Sequence, residues 1–265
     1  TTSFSNRKFN KVKQLRQILK YLQHLITARN TGGHGVHSPF VFHFIRDILS
    51  EKYPYYIFND IEKIRSRMLS SAQTVEVTDF GTGVSRPRNI ADIARKSIKK
   101  PKQAQLLFRI VRHYGYKNIL ELGTSLGIST MYMASVSNKC NCITLEGCPK
   151  ISAVAQQNFD RLKLSQIKLI TCNIDEKLES ILASSGQLDF IFIDANHRYE
   201  PLMRYFRLCM NHIGDDSVIV VDDIHWSSEM EQAWKAIQEH PRVKVTIDIF
   251  HMGIIFFHPM LTKKH

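Results

Sequence analysis

From residue 102 to residue 257 the chain alternates between two kinds of segment, and few folds accept that alternation. Short apolar runs at 118–122, 141–145, 167–171, 188–193 and 217–221 read as strands. Between and around them, apolar residues spaced three and four apart predict helices at 103–113, 128–137, 150–162, 176–184, 199–210 and 228–239. Leu106, Leu107, Ile110 and Val111 mark the buried face of the first helix, and Met230, Ala233, Trp234 and Ile237 that of the last. A strand joined to the next strand through a helix crosses over and runs parallel to it. The result is a parallel sheet covered by helices on both faces. The last two apolar runs, 243–249 and 252–257, leave no room for a crossover helix and must pair antiparallel. The expected fold class is α/β, a doubly wound sheet of seven strands closed by a C-terminal antiparallel hairpin.

The first of these strands leads into the segment richest in chemistry. Asn118-Ile-Leu-Glu-Leu-Gly-Thr-Ser-Leu-Gly-Ile-Ser129 passes through a carboxylate, Glu121, into a glycine turn from Gly123 to Gly127, and then into a helix. The next strand, Ile143-Thr-Leu-Glu146, ends in another carboxylate. A glycine turn at the carboxyl end of a parallel strand lets a ligand lie against the backbone. A carboxylate ending the following strand is placed to hold the two hydroxyls of a ribose. Together they point to a nucleoside-containing cofactor. The Gly-Xaa-Xaa-Xaa-Gly spacing is not that of a nicotinamide-dinucleotide fingerprint.

The fourth strand ends in Asp194-Ala-Asn-His197-Arg-Tyr199 and the fifth in Asp222-Asp223-Ile-His-Trp226. Both ends fall on the carboxyl edge of the sheet, so three carboxylates converge there. Unpaired, they repel one another, and a hard divalent cation with oxygen ligands resolves the repulsion. In the blander reading Asp194 touches only cofactor and Asp222-Asp223 caps a helix. An imidazole of ordinary pKa, about 6.5, can take a proton from a hydroxyl near neutral pH, which makes His197 the candidate base. Otherwise His197 orients Asp194. His225 is the reserve candidate for a base.

Carried by these motifs in this order, and by the terminal hairpin that a plain dinucleotide-binding fold lacks, residues 100–260 resemble the class I S-adenosylmethionine-dependent methyltransferases. Within that class they are similar to the metal-dependent catechol and caffeoyl-CoA O-methyltransferase-like group. The resemblance implies a Rossmann-like fold and S-adenosylmethionine as cofactor. It implies that Glu121, Gly123, Thr124, Ser125, Gly127 and Ser129 border its methionine end, with Ser129 meeting the carboxylate at a helix N-terminus. Glu146 would clamp the ribose. Cys172-Asn-Ile-Asp175 would border adenine, Ile174 packing on the ring while Asn173 or Asp175 receives the exocyclic amine. Asp194 would lie beside the cofactor, and Asp194, Asp222 and Asp223 match the ligand positions for Mg²⁺ or another divalent cation. Asp223 departs from the Asn usual there, and His197 stands where catechol-type enzymes carry Lys, in a stretch one residue shorter. The implied function is O-methylation of a hydroxyl on a small molecule. The cation would acidify that hydroxyl and His197 would remove its proton. A second reading is a metal-independent methyltransferase of a small molecule or RNA. A third is an S-adenosylmethionine-binding regulatory or membrane-associated protein.

The 265 residues suffice for one such domain, 101–265, and an N-terminal helical extension, 1–100, that includes a loop at 72–90. Hydrophobic content of 43% and charged content of 23% are ordinary for a soluble protein, and no window has the length of a transmembrane helix. There is no secretory pattern at the start, and the five scattered cysteines fit neither a disulfide framework nor zinc knuckles. A cytoplasmic location with reduced thiols is expected. The net charge of +12 is uneven: residues 1–50 hold eight Lys or Arg against one acid, Asp47. Further basic residues, among them Arg95, Lys96, Lys99 and Lys100, are read as a solvated face, which disfavours nucleic acid as a partner. Residues 9–26 form a basic amphipathic helix suited to docking on its own domain or on a second subunit, as in a homodimer. Ser38-Pro39 opens a helix that runs through Leu49. His34 and His37 are read as loop and cap residues. Asp79-Phe80-Gly81 is a protein-kinase triplet, but no other kinase motif accompanies it, so it is read as surface loop.

Overall fold

The computed structural model describes residues 20–22, 38–79 and 84–261. The segment before the sheet contains helix α1 (Pro39–Phe44), a π-helical turn (Ile45–Leu49) and helix α2 (Tyr56–Leu69). A hairpin of β1 (Thr74–Asp79) and β2 (Val84–Asn89) follows, and then helices α3 (Ile90–Ser97) and α4 (Pro101–Tyr114). The alternating part comprises β3 (Asn118–Leu122), α5 (Ile128–Ala134), β4 (Asn141–Glu146), α6 (Pro149–Arg161), β5 (Ile167–Thr171) and α7 (Ile174–Ser185). It continues through β6 (Leu188–Ile193), α8 (Tyr199–Met210), β7 (Ile213–Asp222), α9 (Ser228–Glu239), β8 (Val245–Asp248) and β9 (Met252–Phe256).

The seven-stranded sheet has the order β5-β4-β3-β6-β7-β9-β8. Strands β3 to β7 are parallel, and β9 runs antiparallel to both β7 and β8. From β3 the chain winds outward through β4 to β5, then returns to lay β6 on the other side of β3. Helices connecting neighbours leave in opposite directions at that point, so a crevice opens at the carboxyl ends of β3 and β6. The expected α/β class, with seven strands and a terminal antiparallel hairpin, is the observed one.

Period-two alternation along the central strands explains why both faces are covered. Leu120, Ile191, Ile219 and Val221 point to one face, where Leu178, Leu182, Leu202, Phe206, Trp234 and Ile237 of α7, α8 and α9 cover them. Ile119, Phe190, Phe192 and Val218 point to the other, against Leu107 and Ile110 of α4 together with Phe44 and Ile48. A third cluster joins Phe58 and Ile61 of α2 and Ile93 of α3 to Tyr132 of α5 and Phe159 of α6. Helix starts are supplied locally. Asn89 Oδ1 accepts from Ala91 N at 2.8 Å to cap α3, and Ser227 Oγ accepts from Met230 N at 3.2 Å to cap α9.

Two differences from the sequence reading concern the segment before the sheet. Within 72–90 the described residues are largely regular: Thr74-Val-Glu-Val alternates well enough to form β1, paired antiparallel with β2. Pro87 is tolerated because this two-stranded sheet consists only of edges. Helices α2 and α3 had no counterpart in the sequence reading. Of the predicted helix 9–26, residues 20–22 are helical, and the rest lies outside the described residues, as do His34, His37, Phe80 and Gly81. Helix 39–49 is present, with a π-helical second half. All five cysteines are free thiols, and among the described residues no helix is long and apolar enough to cross a membrane.

Phe44 is 1% exposed and its ring meets Phe256 edge-on at 5.4 Å, within the cluster that also holds Ile119 and Phe190. Phe44→Ala is therefore expected to lower stability by about 3–5 kcal/mol. Urea unfolding should show this as one cooperative transition; an early separate step would mean the N-terminal segment is not part of the sheet's core.

Candidate active site

The crevice is a cavity of about 790 Å³. Its floor is set by the contact of two strand ends. Asp194 N donates to Leu122 O at 2.8 Å, and Gly123, at φ +99°, lies so close that a Cβ there would sit 2.2 Å from the Asp194 carbonyl oxygen. Only glycine fits this turn, on both backbone and packing grounds. Gly127, at φ +83°, faces the Phe159 ring at a distance a Cβ would reduce to 2.5 Å, so it is shaped by packing away from the cavity.

Of the residues singled out in the sequence, Gly123, Ser125, Glu146, Asn173, Ile174, Asp175, Asp194, His197 and Asp223 line the cavity. Glu146 accepts from Ser125 N and from Cys148 N, each at 2.9 Å, which ties the end of β4 to the glycine turn. Burial raises its pKa and those backbone donors pull the other way. Asn173 is the N-cap of α7, its side chain accepting from Asp175 N at 3.1 Å. Asp175 is held by Arg204 and by the Tyr205 hydroxyl at 2.5 Å. His197 lies with Nε2 3.8 Å from Asp194 Oδ1. His225 lies elsewhere, between Asp248 (2.8 Å) and Glu231 (3.3 Å) and stacked on Phe250.

Glu121, Thr124 and Ser129 turn inward instead. Ser129 Oγ donates to Glu121 Oε1 at 2.5 Å, Thr144 Oγ1 donates to Oε2 at 2.6 Å, and Thr130 also donates to Oε2. Thr124 Oγ1 bonds Thr144 Oγ1 at 2.5 Å. Here a fully buried carboxyl is satisfied by hydroxyls without a counter-ion in contact, so the hydroxyl that the resemblance assigns to a cofactor carboxylate is engaged beneath the turn. Burial pushes Glu121 up to about 7, with the three hydroxyls opposing.

The residue that sequence reasoning missed is Lys99. Its Nζ lies 3.0 Å from Asp194 Oδ2 and in direct contact with Asp222 Oδ2, and its side chain is 11% exposed. Burial works against the ammonium charge, but Asp194, Asp222 and Asp223 more than offset it and hold the lysine protonated, above its ordinary range. Burial likewise pushes Asp194 up to about 6 and Asp222 well above the carboxylate range. Lys99 opposes this at both; the Asp223 charge adds to it at Asp194, and the Asp194 charge adds to it at Asp222. Lys99 precedes Pro101, the first residue of α4, and nothing in its local sequence distinguishes it from the basic residues around it. Lys96, Ser97 and Thr78 also reach the cavity wall from the segment before the sheet.

This arrangement decides the fit of a divalent cation. The expected ligands Asp194 and Asp222 share the Lys99 ammonium, which already supplies the positive charge their proximity demands. Among the described residues no group of three or more His, Cys, Asp or Glu has the geometry to hold a metal ion. A divalent cation does not fit the site as built.

Residues 120–224 match a family described as a methyltransferase domain. A catechol O-methyltransferase of Niastella koreensis is 38% identical over 127 residues, which span 47% of this chain and 57% of that protein. The match thus covers little more than half the length of that relative. An O-methyltransferase from Bacillus cereus in complex with SAH superposes with a TM-score of 0.57, covering 82% of this chain and 97% of that one at 20% identity. TomG from Streptomyces achromogenes, an O-methyltransferase in complex with SAM, superposes with a TM-score of 0.54, covering 61% and 82% at 16% identity. Over residues 120–224 the chain is similar to that methyltransferase domain, and its fold is the one these O-methyltransferase structures share.

The Glu121 carboxyl gives a pH test with a definite sign. Its pKa rises from 4.5 to about 7 on folding, so the folded state holds the proton more tightly and is favoured at low pH. Its contribution to stability is full below about pH 4.5 and declines as pH rises through about 7, by up to about 3 kcal/mol. Urea midpoints measured from pH 4.5 to 8 should fall less steeply in Glu121→Gln than in the parent chain; parallel curves would refute the assignment.

Proposed function

We propose that the chain is an S-adenosylmethionine-dependent O-methyltransferase acting on a hydroxyl of a small molecule. The observation that carries this reading is the composition of one cavity wall. The cavity lining can be taken as two halves by chemistry, Glu146, Gly123, Ser125 and the start of α7 in one and His197, Asp223 and Trp226 in the other, with Asp194 common to both. The first half suits a nucleoside: a half-buried carboxylate for the ribose hydroxyls, Ile174 for a ring face, and a turn that accepts the methionine end. The second half holds a base candidate and an exposed aromatic side chain. A cavity of this size suits a cofactor and a small acceptor together. The Niastella koreensis relative is a catechol O-methyltransferase, which supports a hydroxyl as acceptor.

Glu146, the Gly123–Ser125 turn and the start of α7 would hold S-adenosylmethionine, which would supply an activated methyl group on its sulfonium, and His197 would take the proton of the acceptor hydroxyl. Positioning supplies most of the rate, since the sulfonium is already reactive. The segment before β3 contributes Thr78, Lys96, Ser97 and Lys99 to the rim, in keeping with an N-terminal extension that roofs the site and meets the acceptor. The divalent cation expected from the sequence is not part of this reading, because Lys99 takes its place between Asp194 and Asp222.

Calorimetry with S-adenosylhomocysteine tests the nucleoside half. The parent chain should bind it, and Glu146→Ala should weaken binding roughly 10- to 100-fold, the loss of a charged hydrogen-bonding group. His197→Ala should leave that affinity unchanged while lowering kcat about 10²- to 10⁴-fold with any accepted hydroxyl substrate. No binding by the parent chain would end the methyltransferase reading. An unaltered kcat in the His197 variant would end only the role of that imidazole.

A further inference from the structure

Lys99 is built into the site and does not merely reach across it. It sits in the extended link between α3 and α4, where Pro101 fixes the first turn of α4. Its own carbonyl accepts from Nη1 of Arg65, a buried arginine of α2 whose Nε donates to Glu62 Oε2 at 2.8 Å. Backbone and side chain are thus anchored at both ends, by Arg65 on one side and by Asp194 and Asp222 on the other. The ammonium also lies 6.0 Å from the centre of the Phe192 ring, within range of a favourable cation–π contact.

A lysine held this way cannot yield its place cheaply. Moving it aside would break two charge-assisted contacts in a site where little water can replace them, and removing one partner of a buried ion pair is strongly unfavourable. A metal ion would also have to lose its own water to enter.

We propose that Lys99 is the resident cation of this site, occupying the position between Asp194 and Asp222 that a divalent ion would otherwise take, so that the protein binds no metal there. The inference rests on the methyltransferase reading only for the identity of the cofactor beside it. Lys99 supplies the positive charge that holds the two strand-end carboxylates together and faces the cavity where the acceptor oxygen would lie.

Mn²⁺ alone is the probe, followed by electron paramagnetic resonance of the free ion, with S-adenosylhomocysteine affinity measured on the same samples. The parent chain should take up no stoichiometric Mn²⁺. Lys99→Ala, which leaves the carboxylates uncompensated and opens space between them, should bind one Mn²⁺ at least about tenfold more tightly than the parent. Adding Asp222→Asn to that variant should abolish the gain. One tight Mn²⁺ in the parent chain, lost in Asp222→Asn, would overturn the proposal, and that comparison holds even if Lys99→Ala fails to fold. A folded Lys99→Ala variant that gains no Mn²⁺ affinity would also overturn it, since the lysine would not be what excludes the ion. Failure of the parent chain to bind S-adenosylhomocysteine would strike the methyltransferase reading instead, and leaves the metal result to be judged on its own.

Discussion

The close approach of β3 and β6 at their carboxyl ends governs the rest of this molecule. Leu122 and Asp194 share a backbone hydrogen bond of 2.8 Å, and the chain beyond Leu122 passes the Asp194 carbonyl with no space for a side chain at Gly123. Because the next connections leave in opposite directions from these two strands, tight contact at their ends becomes an open crevice immediately above. The crevice brings the end of β4, the start of α7 and the loops after β6 and β7 around one volume. Were β3 and β6 splayed apart, the same residues would line separate surface grooves.

Charge is handled beneath and beside that crevice in two different ways. Glu121 is kept within reach of three hydroxyls and no counter-ion in contact, so its environment favours the protonated acid more than water does. Asp194 and Asp222 instead share an ammonium delivered from outside the alternating part of the chain. The cost of burying two carboxyls at neighbouring strand ends is offset by a lysine whose backbone is itself pinned by a buried arginine. The segment before the sheet is therefore electrostatically joined to the site as well as packed against its core.

Much of this was readable in advance, for an identifiable reason. Strands such as Leu188-Asp-Phe-Ile-Phe-Ile193 are continuous apolar runs because both of their faces are buried, and that pattern survives without knowledge of any partner. Glu146 and Asp194 sit at strand ends, and strand ends of a parallel sheet have a known edge. Helix α2 and the β1–β2 hairpin were harder to read, because amphipathic segments on the outside of a core mix polar and apolar residues without a strict period. Ser129 and Thr124 show another limit. A hydroxyl near the start of a helix can face a ligand or turn beneath the strand, and spacing does not distinguish these; the buried Glu121 carboxyl accepts from Ser129 directly and reaches Thr124 only through Thr144.

Taken alone, the order of residues determined a doubly wound sheet of seven strands, the antiparallel close and the rim on which the acidic side chains would gather. These follow from periodicity and from the short reach of connections, which are local properties of a chain. Which cation would meet those acidic side chains was decided only in three dimensions. Lys99 and Asp222 are far apart in sequence, and one lysine among many basic residues carries no local mark of its partner. Only the packing of α2 and α4 against the sheet brings that ammonium between the two strand ends, where low solvent access makes the pairing strong enough to define the site.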